Sequence, residues 1–223
     1  MKKGVIFDMD GTIVDSLPYH YKAWEIFFKD NKVENFSKKL KDYKGGGTLD
    51  LMKAVYGNKY SIKELKIMSD DKEVIFREIY KGNIQPISGF IEFIESLKSK
   101  KILIGLATNA IRQNAILTLK ELNIYNYFDR IICGDEVKNG KPNPEMFDKT
   151  VESFQLDKKK CLIFEDSIEG IQGAYNSGIT TVGITSSLSH KVLMDAGADA
   201  TIENYLNISD KLKKINISFI SPF

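Results

Sequence analysis

Two aspartates separated by one residue end the apolar run VIF near the start of the chain, in the stretch VIFDMDGTIVDS from Val5 to Ser16. Alternation along an extended strand turns Asp8 and Asp10 to one side and Met9 to the other. Carboxylates held ~4 Å apart repel by about 4 kcal/mol at an effective dielectric of 20. An exposed Asp-Gly turn would avoid that repulsion and is the plainest reading of the pattern. A calcium EF-hand would offset it with a cation, but Gly11 comes too early and no glutamate closes the loop at the required spacing. A reactive centre is the third option. One carboxylate can act as nucleophile, the role in which aspartate forms an aspartyl-phosphate, and the other as general acid and base. Gly11 suits that role, because a Cβ there would keep the amides of the turn from a phosphate.

Such a centre requires elements that bring further groups to the same place. Short apolar runs at 4–7, 102–107, 130–133, 161–164, 180–184 and 200–202 read as strands. Helical spacing at 111–122, 144–154, 168–177 and 189–196 falls between them. This alternation predicts an α/β fold, a Rossmann-like parallel sheet with both faces covered and right-handed crossovers. Ligands of open parallel sheets bind beyond the carboxyl ends of the strands. Past the first strand come Asp8 and Asp10; past the second, Thr108 and Asn109; past the third, Lys141; past the fourth, Glu165 and Asp166. Thr108 supplies a hydroxyl donor, and a helix starting near Ile111 offers free N–H groups to an anion. Asp166 adds to the repulsion of the aspartate pair. A cation relieves it, and all-oxygen ligands with room for water point to Mg²⁺, with Lys141 neutralising part of the remainder. Taken alone, a lysine before a proline is an ordinary solvated turn residue.

From Ser16 to about Gln85 the pattern is helical only, with the triplet Gly45-Gly46-Gly47 in its middle. The expected organisation is therefore an α/β core at 1–15 and 86–223 and an inserted helical cap domain at 16–85, with hinges near Asp15 and Pro86. The apolar tail 215–223 fits none of these elements, unless as an extra edge strand.

Bulk properties exclude several classes. Lys+Arg 32 against Asp+Glu 30 leaves a charge of +2, with no surplus for a large nucleic-acid surface. No window reaches the apolar length of a membrane span. Met1-Lys2-Lys3 is followed by too few apolar residues for a secretory signal, and Cys133 and Cys161 read as buried thiols of a reducing compartment, so a cytoplasmic protein is expected. The default expectation is a monomer with a small-molecule partner. Serine-hydrolase chemistry lacks a G-x-S-x-G, and no Gly-Lys-Ser/Thr follows the glycines to make a P-loop.

The segments FDMDGTIVDS, ATN, GKPNPEMF and FEDSIEGIQGA, in that order, resemble the four motifs of the haloacid dehalogenase superfamily of phosphotransferases. Within it the chain is most similar to the phosphatase and β-phosphoglucomutase-like group, and the likeness extends over the whole length, helical insertion included. The resemblance implies Asp8 as nucleophile toward a phosphate ester and Asp10 as the acid and base. It implies Mg²⁺ held by Asp8, the backbone carbonyl of Asp10 and Asp166, with Glu165 adjacent or acting through water. Thr108, Asn109 and Lys141 would bind the phosphoryl oxygens.

In the cap, PYHYKAW resembles the segment in which β-phosphoglucomutases place a histidine that couples cap closure to the acid–base aspartate, which makes His20 a candidate. Trp24, four residues on, reads as cap core. YKGGGTLD resembles their sugar-phosphate loop, with Lys44 and Gly45 in matching places, but Thr48 stands where an arginine gripping a second phosphate is expected. That departure favours a phosphatase of a small phosphorylated metabolite, such as a sugar phosphate, over a mutase; pyrophosphate is a further candidate substrate. A receiver module, which also joins acids, Mg²⁺, threonine and lysine around an aspartate, is shorter than this chain and has no cap.

Overall fold

A computed structural model describes residues 2–38 and 48–214. Six parallel strands form one sheet: β1 Gly4–Phe7, β2 Leu103–Thr108, β3 Arg130–Cys133, β4 Cys161–Glu165, β5 Thr180–Ile184 and β6 Ala200–Ile202. Their order is β3-β2-β1-β4-β5-β6. Helices with both ends among the described residues are, in chain order, α1 Leu17–Asp30, α2 Thr48–Tyr56, α3 Ile62–Tyr80, α4 Phe90–Ser99, α5 Arg112–Glu121, α6 Glu145–Phe154, α7 Ile168–Ser177, α8 His190–Ala196 and α9 Ile208–Lys214. The chain leaves β1 toward β2 on one side and reaches β4 on the other, so the topological switch lies between β1 and β4, where open α/β sheets place their ligands.

The strands are apolar on both sides because both sides are covered. Strand alternation sends Ile6 and Ile163 to one face, where they meet Phe147, Val151 and Phe154 of α6. Phe7 and Phe164 turn to the other face and stack on each other at 5.2 Å. Phe90 and Phe93 of α4 and Tyr205 close that aromatic face, with Phe93 and Tyr205 stacked at 5.4 Å. On the α6 side, Gly105 admits the helix, since a Cβ there would press into Thr150 and Phe154. Helix α4 was absent from the expected elements, although Phe90, Phe93, Ile94 and Leu97 have the i, i+3, i+4, i+7 spacing of a buried face.

The chain forms two compact units. One comprises Met1–Asp15 and Ile84–Phe223, the other Ser16–Asn83. In the first, Pro86 bridges to Val14 and the Ile87 N–H donates to the Ile13 carbonyl at 2.8 Å, so the chain is tied to its own outgoing loop on re-entry. The second holds α1, α2 and α3 around Trp24, Phe27, Phe28, Leu51, Met52, Val55 and Leu65. In α1 the spacing of Trp24, Phe27 and Phe28 makes one apolar stripe. Helix α3 starts at a capping box, in which the Glu64 N–H donates to Ser61 Oγ and the Ser61 N–H donates to Glu64 Oε2. None of the described helices is long and apolar enough to cross a membrane. The tail 215–223 lies outside the described residues.

Phe93 is buried among Phe7, Phe164 and Tyr205, so Phe93→Ala removes a shared ring from the sheet's aromatic face. The expected loss is about 3–5 kcal/mol of unfolding free energy, measured by urea denaturation followed by circular dichroism. A loss below about 1 kcal/mol would show that this face contributes little to the core.

Candidate active site

The register of the sheet brings the first cluster together. Phe7 lies opposite Leu106 on one side and Phe164 on the other, and the Asp8 N–H donates to the Phe164 carbonyl at 3.0 Å. Asp8 is therefore the first residue beyond β1 and sits beside the end of β4. The turn that follows is closed by the Ile13 N–H on the Met9 carbonyl at 2.8 Å and by the Gly11 N–H on the Val14 carbonyl at 2.7 Å. Gly11 has φ +78, and a Cβ there would overlap the Asp166 carboxylate, so both conformation and space require glycine. Asp10 is partly exposed and its backbone bridges to Val14.

Lys141 arrives from the loop after β3. Its Nζ donates to Asp8 Oδ1 at 2.5 Å and to Glu165 Oε1 at 2.6 Å, with all three side chains buried. Glu165 Oε2 accepts from the Asp166 N–H at 2.8 Å, the Ser167 N–H at 2.9 Å and Ser167 Oγ at 3.0 Å. Ser167 caps α7 by accepting from the Gly170 N–H at 3.0 Å. Glu165 thus lies under the positive end of α7, where an added Cβ on Gly170 would overlap its carboxylate. Asp166 Oδ1 accepts from Thr12 Oγ1 at 3.2 Å, and its Oδ2 accepts from Ser187 Oγ at 2.6 Å.

One carboxylate oxygen each from Asp8, Glu165 and Asp166 lies within 4.8 Å of the others. Three buried carboxylates meet one ammonium, an excess of negative charge that low-dielectric surroundings punish. Burial raises the Asp8 carboxyl well above the ordinary range, with Lys141 pulling the other way and Glu165, Asp166 and Asp10 reinforcing the rise. Asp166 is pushed up to about 7, first by burial and then by Glu165. Burial works against the charge of Lys141 as well, yet Asp8 and Glu165 outweigh it and its pKa is raised. This all-oxygen set, short of positive charge, suits a hard divalent cation.

Two further candidates border the lysine loop. Thr108 is buried at the end of β2, and its Oγ1 accepts from the Ala110 N–H at 3.1 Å, which leaves the hydroxyl proton to donate. Asn109 Oδ1 accepts from the Lys141 N–H at 3.1 Å, so this side chain orients the lysine loop through its oxygen. Gly140 packs against the same amide, where a Cβ would be too close to Asn109 Oδ1. The helix expected from Ile111 begins at Arg112, and the Arg112 N–H is donated to Asp135 Oδ1 at 3.0 Å. That end of α5 is therefore tied to the loop after β3, a correction to the expectation of free N–H groups there.

In the helical unit, His20 stacks on Phe76 with centroids 3.8 Å apart. Its Nδ1 is 2.8 Å from Lys72 Nζ, so an ammonium at Lys72 makes Nδ1 the acceptor. Lys72 is buried, pairs with Glu73 at 2.9 Å and lies 4.9 Å from the Trp24 ring centroid. Trp24 stacks on Phe28 at 5.0 Å within the apolar cluster of this unit. Lys44 and Gly45 lie outside the described residues.

The cluster also contains groups that sequence reasoning passed over. Thr12 and Ser187 reach the two oxygens of Asp166, and Ser186 Oγ donates to the Gly11 carbonyl. The buried Tyr205 hydroxyl donates to the Thr12 carbonyl at 3.1 Å. Position beyond the carboxyl end of the fifth strand is the one signal the sequence offers for the serine pair, and their residue type adds none.

Comparison with known proteins agrees with this geometry. The family model for haloacid dehalogenase-like hydrolases matches residues 5–184. The phosphorylated carbohydrates phosphatase of Thermotoga maritima is 33% identical over 215 residues, 92% of this chain and 97% of that protein. The β-phosphoglucomutase of Bacillus subtilis is 25% identical over 214 residues, 90% of this chain and 92% of that one. The crystal structure of a β-phosphoglucomutase from Clostridium difficile shares the fold, with a TM-score of 0.80 at 24% identity, covering 96% of this chain and 97% of that chain. Motifs, topology and the family match converge: the chain belongs to the haloacid dehalogenase-like hydrolases.

Proposed function

We propose that the chain is a Mg²⁺-dependent phosphatase that hydrolyses a small phosphorylated metabolite of the sugar phosphate class through an aspartyl-phosphate on Asp8. The observation that carries this reading is the buried contact of Asp8 with Lys141 beside Glu165 and Asp166, at the switch point of the sheet. The similarity to a phosphatase named for phosphorylated carbohydrates supports the substrate class.

In the first half-reaction an Asp8 oxygen forms a bond to phosphorus as the bond to the substrate oxygen breaks. Asp10 gives its proton to that departing oxygen. In the second, Asp10 takes a proton from water, whose oxygen bonds to phosphorus as the Asp8–phosphorus bond breaks. Inorganic phosphate leaves and Asp8 is restored. Lys141 and the Thr108 hydroxyl face the oxygens that carry negative charge, while Asn109 keeps the Lys141 loop in register and has an amide N–H₂ group for the same anion. Catalysis is mainly placement and charge compensation. Mg²⁺, held by the Asp8 and Asp166 carboxylates and the Asp10 carbonyl, would supply the positive charge that three buried acids lack. Glu165 supports this set by holding Lys141 and the start of α7.

A mutase of hexose phosphates is the rival, favoured by the similarity to the Bacillus subtilis enzyme. It must retain a bisphosphorylated intermediate, and the uncharged Thr48 at the start of α2 supplies no cation for the second phosphate.

Three outcomes are expected. Asp8→Asn lowers kcat by on the order of 10⁴-fold while the circular dichroism spectrum is unchanged; near-normal turnover would remove Asp8 as nucleophile. Treatment with EDTA abolishes phosphate release and added Mg²⁺ restores it; activity that survives chelation would rule out the metal. With hexose 1-phosphates followed by phosphorus NMR, inorganic phosphate accumulates without a bisphosphate primer. Primer-dependent formation of the 6-phosphate isomer would instead assign the mutase reaction, and a screen including pyrophosphate and phosphoglycolate ranks substrates.

A further inference from the structure

The loop after β5 lies in none of the four motifs, yet it reaches the centre of the cluster. Ser187 Oγ donates to Asp166 Oδ2 at 2.6 Å, the short distance of a hydroxyl bonded to an ionised carboxylate. Thr12 Oγ1 donates to the other oxygen at the longer distance of 3.2 Å. The adjacent Ser186 Oγ donates to the Gly11 carbonyl, so one dipeptide engages both the acid beyond β4 and the turn beyond β1. These groups are tightly fitted, because a Cβ at Gly11 would overlap Asp166 and come within 2.9 Å of Ser187 Oγ.

A carboxylate that ligates a cation must present one lone pair in a fixed direction, and partners of its remaining lone pairs determine that direction. Asp166 follows β4 immediately and is followed by the start of α7, so its backbone is fixed, whereas rotation about its side chain is not fixed by the fold. A role for Ser187 as nucleophile does not fit. Its proton is committed to Asp166, and the nearest imidazole in the sequence, His190, is bonded through Nδ1 to Thr201 Oγ1 at 2.7 Å.

We propose that Ser187 is a positioning residue that sets the orientation of Asp166 for Mg²⁺, with Ser186 holding the Gly11 carbonyl against the same loop. The proposal rests on the Mg²⁺ centre put forward above. Ser187 is exposed at the surface apart from this contact, so Ser187→Ala should fold normally.

The test is calorimetric titration of metal-free protein with MgCl₂, together with phosphate release at varied Mg²⁺, for wild type, Ser187→Ala, Ser187→Thr and Asp166→Asn. Ser187→Ala is expected to raise the Mg²⁺ dissociation constant about 10-fold. Its metal-free melting temperature and its kcat at saturating Mg²⁺ should stay close to those of wild type, and Ser187→Thr, which retains the hydroxyl, should restore affinity. If Asp166→Asn loses Mg²⁺ but Ser187→Ala binds it as wild type does, the role of Ser187 is overturned and the metal centre stands. If Ser187→Ala loses kcat with Mg²⁺ affinity unchanged, the positioning role is likewise overturned. If Asp166→Asn also binds Mg²⁺ as wild type does, the metal centre itself is wrong, and this proposal falls with it.

Discussion

One ammonium joins the parts of this site. Lys141 Nζ touches Asp8, at the end of β1, and Glu165, at the end of β4, from a loop that follows β3. Removing three charges from water is costly, and the attraction among them repays that cost only where the geometry is close and the remaining lone pairs are satisfied. Both conditions are met around Glu165, whose second oxygen receives two backbone N–H groups and a hydroxyl at the start of α7. The small residues nearby follow from the same contact. Gly170 must lack a side chain for Glu165 to lie under the helix, and Gly11 must lack one for Asp166 to lie beside the turn that follows β1.

An ion pair between distant segments is only as accurate as the loops that carry it. The Lys141 loop is held from two directions. Asn109 accepts from the Lys141 N–H, and Glu145, in the first turn of α6, accepts from the Lys138 N–H at 3.1 Å and the Asn139 N–H at 2.9 Å. Lys149 on the next turn bonds the same carboxylate, and Lys149 together with those two amides holds Glu145 down at about 2. A depressed acid contributes its stabilisation above its unfolded pKa and loses it as pH falls through the folded one. The Glu145 anchor is therefore intact throughout the neutral and mildly acidic range. The residues of GKPNPEMF thus divide their work, with Lys141 joining Asp8 and Glu165 and Glu145 fixing the loop on the helix.

The sheet was legible because a parallel strand covered on both faces is a short uninterrupted apolar run, and β1, β3, β5 and β6 coincide with such runs. Helix α4 is equally periodic, but it is short and follows the Pro86 re-entry point without a polar cap residue, its N-cap being Gly89. The acids and the lysine at the strand tips could be read from type and position, since charge directly after an apolar run is conspicuous. Ser186 and Ser187 could not be singled out that way, because SSLS is ordinary turn composition and a hydroxyl announces no partner. Lys72 was hidden for a different reason. It stands in a helix with two other lysines, Lys63 and Lys66, and only packing reveals that it is enclosed by Glu73, His20 and the Trp24 ring.

The charge balance of the core also bears on what the enzyme can hold. Its buried acids outnumber Lys141, and the dication of the proposed mechanism would lower the repulsion that a phosphate dianion meets there. In the proposed mechanism one transferring phosphoryl group is then met by Lys141 and the Thr108 hydroxyl, since the amides from Gly11 to Val14 are engaged within their own turn. A bisphosphate adds a second dianion that requires cations of its own, and a threonine at position 48 offers only a neutral donor. In the proposed phosphatase the dephosphorylated product is released instead of being retained for a second transfer, and water is the acceptor for the phosphoryl group on Asp8.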